Sequence, residues 1–202
     1  MERQIVIFDL DGCLVDTEHL HRHALSVTLN RRITPEYFHS ALVGLTSREI
    51  MRHYGVPSHA QDRMIQRKRE LFGELAQDVR LPPQSVEILQ YLRETDHRIG
   101  LCSNNNLHSI FSILGEHAEL FEVIVSKDQV LNPKPAPDPY LLVLNLLDAR
   151  PEDVVAVEDA DGGVASARAA GIPVVLQIQH RDLELTQVRN FLEHAKAARR
   201  SS

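Results

Sequence analysis

The sequence predicts an α/β fold: a parallel sheet with helices on both faces, and a helical lobe inserted after the first strand. Three observations carry that expectation. Five short runs rich in β-branched residues, QIVIF (4–8), RIGLC (98–102), VIV (123–125), VVAV (154–157) and PVVLQI (173–178), are apolar at successive positions instead of alternating with polar residues. Such runs suit strands covered on both sides, as in a parallel sheet. Helical patterns separate the later runs, which gives βαβ units. Residues 17–80, by contrast, contain no convincing strand and are far more chain than a crossover needs.

The first strand runs straight into Asp9-Leu10-Asp11-Gly12. Amphipathic helices are expected over 17–31, 35–43, 46–54 and 58–77. They form an inserted lobe spanning 16–81, with residues 1–15 and 82–202 as the core domain. The lobe's exits are Val15–Asp16 and RLPPQS (80–85), where two prolines should break the helix. In GLTSREI (44–50), Thr46 can cap a helix and Glu49 can close a capping box. Arg48 then sits in a first turn, where a cation opposes the helix dipole. It calls for an anionic partner or for a local acid such as Glu49.

Beyond the lobe, VEILQYL has apolar residues at 86, 88, 89 and 92. LHSIFSILG places Leu107, Ile110, Phe111 and Leu114 on one stripe, with Gly115 to end it. DPYLLVLNLL offers Asp138 as N-cap and Pro139 at the first helical position. GGVASARAAG is a small-residue helix able to lie close against a sheet and stopped by Gly171. The closing HAKAARRSS is polar and expected to fray.

Composition bounds the function. Apolar residues make up 43% and charged residues 25%, ordinary for a soluble globular protein. A net charge of −6 argues against a nucleic-acid or anionic-membrane surface. No apolar run approaches the roughly 20 residues that span a bilayer. MERQIVIFDLDG is not a signal peptide, because its apolar stretch leads directly into the aspartates. Two cysteines, Cys13 and Cys102, are too few for a disulfide framework, so a cytoplasmic location is expected. Each reads as a small buried side chain or as a redox-sensitive thiol.

The chemistry collects where strands end. Strand one is followed by Asp9 and Asp11, strand two by Ser103-Asn104-Asn105, strand three a loop later by Lys134, and strand four by Glu158-Asp159. In a parallel sheet these ends share one edge, outside which ligands bind. Carboxylates of this kind suit Mg²⁺, which takes oxygen ligands and keeps room for water and a phosphate oxygen. Ser103 and the N–H groups of Asn104 and Asn105 stand at a helix start, which favours an anion. Lys134 supplies positive charge. Unit charges about 4 Å apart interact by about 4 kcal/mol at an effective dielectric near 20, so crowded acids and a phosphate dianion need both metal and lysine. Singly, an aspartate after a strand is often no more than a turn former.

DLDGCLVDTE resembles the first motif of the haloacid dehalogenase-like phosphatases, LCSNN the second, KPAPDPY the lysine motif, and VEDADGGVASARAAGI the fourth. Four motifs in order cover most of residues 1–175. The insertion is similar to the helical cap of the family's β-phosphoglucomutase and phosphoglycolate-phosphatase branch. The resemblance implies a Rossmann-like three-layer α/β/α core with an α-helical cap. It makes Asp9 the nucleophile that becomes an aspartyl phosphate and Asp11 the general acid and base. Mg²⁺ would be held by Asp9, the Asp11 backbone carbonyl and Asp159, with Glu158 acting directly or through water. Ser103, Asn104 and Lys134 would hold the transferring phosphoryl group. In the cap, Arg48 and His21 resemble residues that meet the rest of the substrate, with Lys68 a further candidate; solvated helix faces are the plain alternatives. Asp16 and Thr17 suit the hinge and a helix start. Ala160, Pro133 and Ser85 depart from the branch's usual Ser, Gly and Gly.

The expected activity is Mg²⁺-dependent hydrolysis of a small phosphate monoester, such as a sugar phosphate. The alternatives are a phosphosugar mutase and a non-catalytic phosphate- or partner-binding module. The expected partner is a small phosphorylated metabolite, with no nucleic acid and no membrane, acting on a monomer or weak homodimer.

Overall fold

The computed structural model describes residues 3–43 and 45–200. The chain divides into two compact units, one of residues 1–16 and 80–202 and the other of residues 17–79.

The larger unit is built on a parallel sheet of β1 (Ile5–Phe8), β2 (Arg98–Ser103), β3 (Val123–Ser126), β4 (Val154–Glu158) and β5 (Val174–Gln177) in the order β3-β2-β1-β4-β5. Ile5 pairs with Arg98 on one side and Val154 on the other. The three central strands are almost wholly buried, as their unbroken apolar runs require. β5 departs from that expectation: as an edge strand it is half-buried, and Gln177 is exposed.

Around the sheet lie α5 (Pro83–Glu94), α6 (Leu107–Leu114), α7 (Asp138–Leu146), α8 (Asp161–Ala169) and α9 (Leu185–Arg200). On one face, Ile5 and Ile7 of β1 pack with Tyr140, Val143 and Leu144 of α7 and Ala167 of α8. Val6 and Phe8 point the other way, as strand pleating demands, and are fully buried. α5 packs on β2 and α9 packs on α5. The result is three layers, α/β/α.

The two prolines of RLPPQS begin a helix instead of breaking one. Pro82 is the N-cap of α5 and Pro83 its first residue. That position suits proline, whose missing N–H would have no intrahelical partner there. Ser85 in the same turn donates to the Leu14 carbonyl at 2.6 Å, tying α5 to the turn after β1.

The smaller unit is helical: α1 (Glu18–Leu29), α2 (Pro35–Ala41), α3 (Ser47–His53) and α4 (Ser58–Ala76). Leu25, Ile33, Phe38, Leu42, Ile50, Met51 and Ile65 form its core, and α1 packs along α4. The capping box at α3 is present, with the Glu49 N–H on Thr46 Oγ1 and the Thr46 N–H on Glu49 Oε2. Among the described residues, no helix is long and apolar enough to cross a membrane.

Candidate active site

Two backbone bonds fix the chain just past β1. The Asp9 N–H donates to the Val157 carbonyl at 2.9 Å, extending the β1–β4 ladder by one residue. Gly12 then turns the chain with φ +80, and its N–H donates to Val15 O at 2.8 Å. A side chain there would be strained by that φ and would also collide with the Asp159 carboxylate. Gly163, at the start of α8, is held to glycine for a different reason: a Cβ would run into the Glu158 carboxylate. The two acidic motifs are thus packed against bare backbone.

Lys134 lies at the centre of the cluster, 8% exposed. Its ammonium donates to Asp9 Oδ1 at 2.8 Å, to the Cys102 carbonyl at 2.6 Å and to Glu158 Oε1 at 2.6 Å. An ammonium has three donors, and these three acceptors match them. All three of its donors thus meet protein acceptors. Its hydrogen bonds anchor the nucleophile candidate and a second acid. Burial alone would pull this ammonium down; Asp9, Cys102 and Glu158 hold it well above its usual range.

Asp9, Glu158 and Asp159 each place a carboxylate oxygen within 4.8 Å of the others. Burial, then the neighbouring acids, push the Asp9 carboxyl well above the ordinary carboxylate range, against the pull of Lys134. Burial and Glu158 raise Asp159 to about 7. One buried lysine does not balance this many acids. An all-oxygen donor set under mutual repulsion fits a hard divalent cation such as Mg²⁺. Glu158, 1% exposed, is the most enclosed of the three, and both Lys134 and the Tyr140 hydroxyl (2.5 Å) converge on its Oε1.

Tyr140 was not singled out in the sequence, where it reads as part of an apolar helix face. It is fully buried, its hydroxyl donates to Glu158 and its ring lies 5.2 Å from the Lys134 ammonium. Burial, reinforced by Glu158, keeps that hydroxyl protonated and therefore a donor.

The residues after β2 divide their labour. Ser103 is fully buried; its Oγ accepts the Asn105 N–H at 3.0 Å and lies 3.4 Å from Asp11 Oδ2. This takes the Asn105 N–H out of the set of donors expected to face an anion. Asn104 forms a reciprocal pair with the backbone of Lys134: its Nδ2 donates to the lysine carbonyl at 3.0 Å, and its Oδ1 accepts the lysine N–H at 3.0 Å. The Asn104 side chain thus locks the second motif to the lysine loop. The helix that follows is capped by Asn106, whose Oδ1 accepts from Ser109.

A strap after β5 closes the arrangement from the far side. The Gln179 amide donates to the Asp159 carbonyl at 2.8 Å, and the His180 N–H donates to the Gly12 carbonyl at 2.6 Å. His180 Nδ1 is 3.0 Å from the Cys13 carbonyl, which only accepts, so Nδ1 carries the proton. The cysteines themselves are fully buried, and burial pushes Cys102 up to about 12 and Cys13 well up also. They are small inert side chains, and the redox-sensitive alternative is set aside.

The expected lobe residues lie in the helical unit. Arg48 pairs with Asp62 of α4 at 2.5 Å, with both side chains largely exposed; the local acid is Asp62, because Glu49 is taken by the capping box. His21 and Lys68 meet each other: Nζ is 2.9 Å from Nδ1, His21 stacks on Phe72 at 4.0 Å, and the Lys68 ammonium lies 5.7 Å from the same ring.

The profile of a family described as haloacid dehalogenase-like hydrolase matches residues 6–177. A phosphorylated carbohydrates phosphatase of Thermotoga maritima is 31% identical over 193 residues, covering 88% of this chain and 86% of that protein. The protein CbbY of Rhodobacter capsulatus is 30% identical, covering 87% and 86%. A crystal structure of CbbY from Rhodobacter sphaeroides in complex with phosphate superposes with a TM-score of 0.72 at 25% identity, covering 89% of this chain and 88% of that one.

Proposed function

We propose, for a chain that belongs to the haloacid dehalogenase-like hydrolases, that it hydrolyses a small phosphate monoester of a sugar or similar metabolite through a phosphorylated Asp9. The protein is a hydrolase of the phosphatase kind by its relatives. The observation that supports the residue assignments is the gathering of Asp9, Glu158 and Asp159, with carboxylate oxygens within 4.8 Å of one another, around a Lys134 ammonium that is hydrogen-bonded to Asp9 and Glu158.

Asp9 attacks phosphorus, and the ester P–O bond breaks with its electron pair left on the departing oxygen. Asp11 gives that oxygen a proton. Water then attacks phosphorus, Asp11 takes its proton, and the bond to Asp9 breaks to release inorganic phosphate. Ser103 Oγ and the backbone N–H of Asn104, at the approach to α6, hold the phosphoryl oxygens. Lys134 keeps Asp9 in place and contributes positive charge nearby. Asp9, the Asp11 carbonyl and Asp159 would hold Mg²⁺, which when bound would supply charge compensation for the acids and the phosphoryl group. Glu158, held by Lys134 and Tyr140, acts from behind them. Arg48, His21 and Lys68 are the lobe residues proposed to meet the remainder of the substrate; His21 and Lys68 already form one basic cluster on Phe72.

A phosphate-release screen over phosphorylated metabolites, with Mg²⁺ or with EDTA, tests the reading. Turnover should require Mg²⁺, and Asp9→Asn should lower it by about 10³ or more. Mg²⁺ should also raise the unfolding midpoint of the wild type by mass action, and Asp159→Asn should lose that shift. Turnover that survives exhaustive chelation, or an active Asp9→Asn variant, would overturn it.

A further inference from the structure

We propose that the Asn105 side chain is a positioning residue for Asp11, holding one carboxylate oxygen so that the other faces the leaving group. The inference rests on Asp11 acting as the acid. Asn105 is 6% exposed, and its Nδ2 donates to Asp11 Oδ2 at 2.7 Å. The reverse amide orientation would set Oδ1 against a carboxylate oxygen at that distance, so the hydrogen-bond network fixes the assignment. Asn105 is itself held on both sides: its N–H donates to Ser103 Oγ at 3.0 Å and its carbonyl accepts the Lys127 N–H at 3.2 Å. Ser103 Oγ adds a second, longer approach to the same Oδ2 at 3.4 Å.

An amide N–H can donate but cannot take up or give away a proton in the working pH range, so it constrains Asp11 without competing for its proton. With Oδ2 occupied by a donor, the proton that passes to the departing oxygen leaves from Oδ1. As the ester P–O bond breaks, its electron pair stays on that oxygen, and the Oδ1–H bond electrons remain with Asp11. Loss of the amide leaves the carboxyl group present but without the 2.7 Å bond that holds Oδ2, and misplacement on an ångström scale costs about 10²-fold in rate.

The test is the dependence of kcat/KM on the leaving group, since that parameter reports the steps up to transfer onto Asp9. p-Nitrophenol leaves readily without protonation, whereas an alkoxide does not. Asn105→Ala should therefore cost about 10²-fold on glycerol phosphate and at least about tenfold less on p-nitrophenyl phosphate. Asn105→Leu, of similar size but lacking the donor and adding no charge beside Asp11, should show the same imbalance and serves where the alanine variant folds poorly. Asp11→Asn is the reference. If it shows the leaving-group imbalance and both Asn105 variants lose equally on the two esters, the positioning role is overturned and the role of Asp11 stands. If Asp11→Asn itself shows no imbalance, the acid assignment falls, and the inference with it.

Discussion

Tyr140 shows how one buried hydroxyl serves a buried acid. Glu158 is almost wholly out of water, and a carboxylate in that position needs donors. Lys134 and Tyr140 supply them on a single oxygen. Removing the hydroxyl leaves Lys134 on that oxygen, so what is lost is one hydrogen bond to a charged, buried acceptor. Tyr140→Phe keeps the ring and removes only the donor, so it should destabilise the core unit by about 1.5–3 kcal/mol, read as a lowered denaturation midpoint. An unchanged midpoint would show that the hydroxyl contributes nothing net. The Arg48–Asp62 pair is the opposite case, two exposed groups whose attraction is screened and worth little.

At the scale of elements, local chemistry was well expressed in the chain. The Thr46–Glu49 capping box is legible because both partners lie within one turn, and Thr46→Ala should cost about 1 kcal/mol. Hydrogen exchange should then quicken at the α3 amides while the sheet amides keep their protection; equal exchange throughout would count against the cap. The four site motifs were legible for a similar reason, since each strand delivers its polar residues at its own end. What was not legible depends on partners distant in sequence. α6 buries Ile110, Ile113 and Leu114, leaving Phe111 48% exposed, so the helix is rotated from the stripe its spacing suggests. Four apolar residues on a short helix define a face only loosely, and the sheet chose among them. α7 starts one residue earlier than its capping pattern implies, with Pro137 as N-cap. Tyr140–Glu158 and Asn105–Asp11 join separate motifs, and no spacing rule announces them. The strap carrying Gln179 and His180 bears no sequence signature because it works mostly through backbone carbonyls.

The whole molecule has an acid-sensitive joint remote from the site. His97, 2% exposed, accepts the Gln4 N–H on Nδ1 at 3.1 Å, linking the entries to β2 and β1. Burial, then the nearby Lys196, hold its imidazolium form below the ordinary value of 6.5, against the opposing pull of Asp96. The unfolded chain therefore takes up a proton near that value while the folded chain does not. Stability from this group is intact above about pH 6.5 and declines as pH falls toward the folded-state value. The gap in unfolding midpoint between wild type and His97→Gln should accordingly narrow from pH 7 toward pH 5; a gap that widens on acidification would reverse the sign. The strand order carries a different consequence. β1 precedes the other four strands of the sheet in the chain, yet it lies in the middle, between partners that begin at Arg98 and Val154. Asp9 leaves the ribosome long before Lys134, Glu158 and Asp159, the groups that surround it in the fold. A nascent chain stopped short of the end of β4 lacks Glu158 and Asp159, two of the three carboxylates of the cluster, so the site is assembled only late in synthesis.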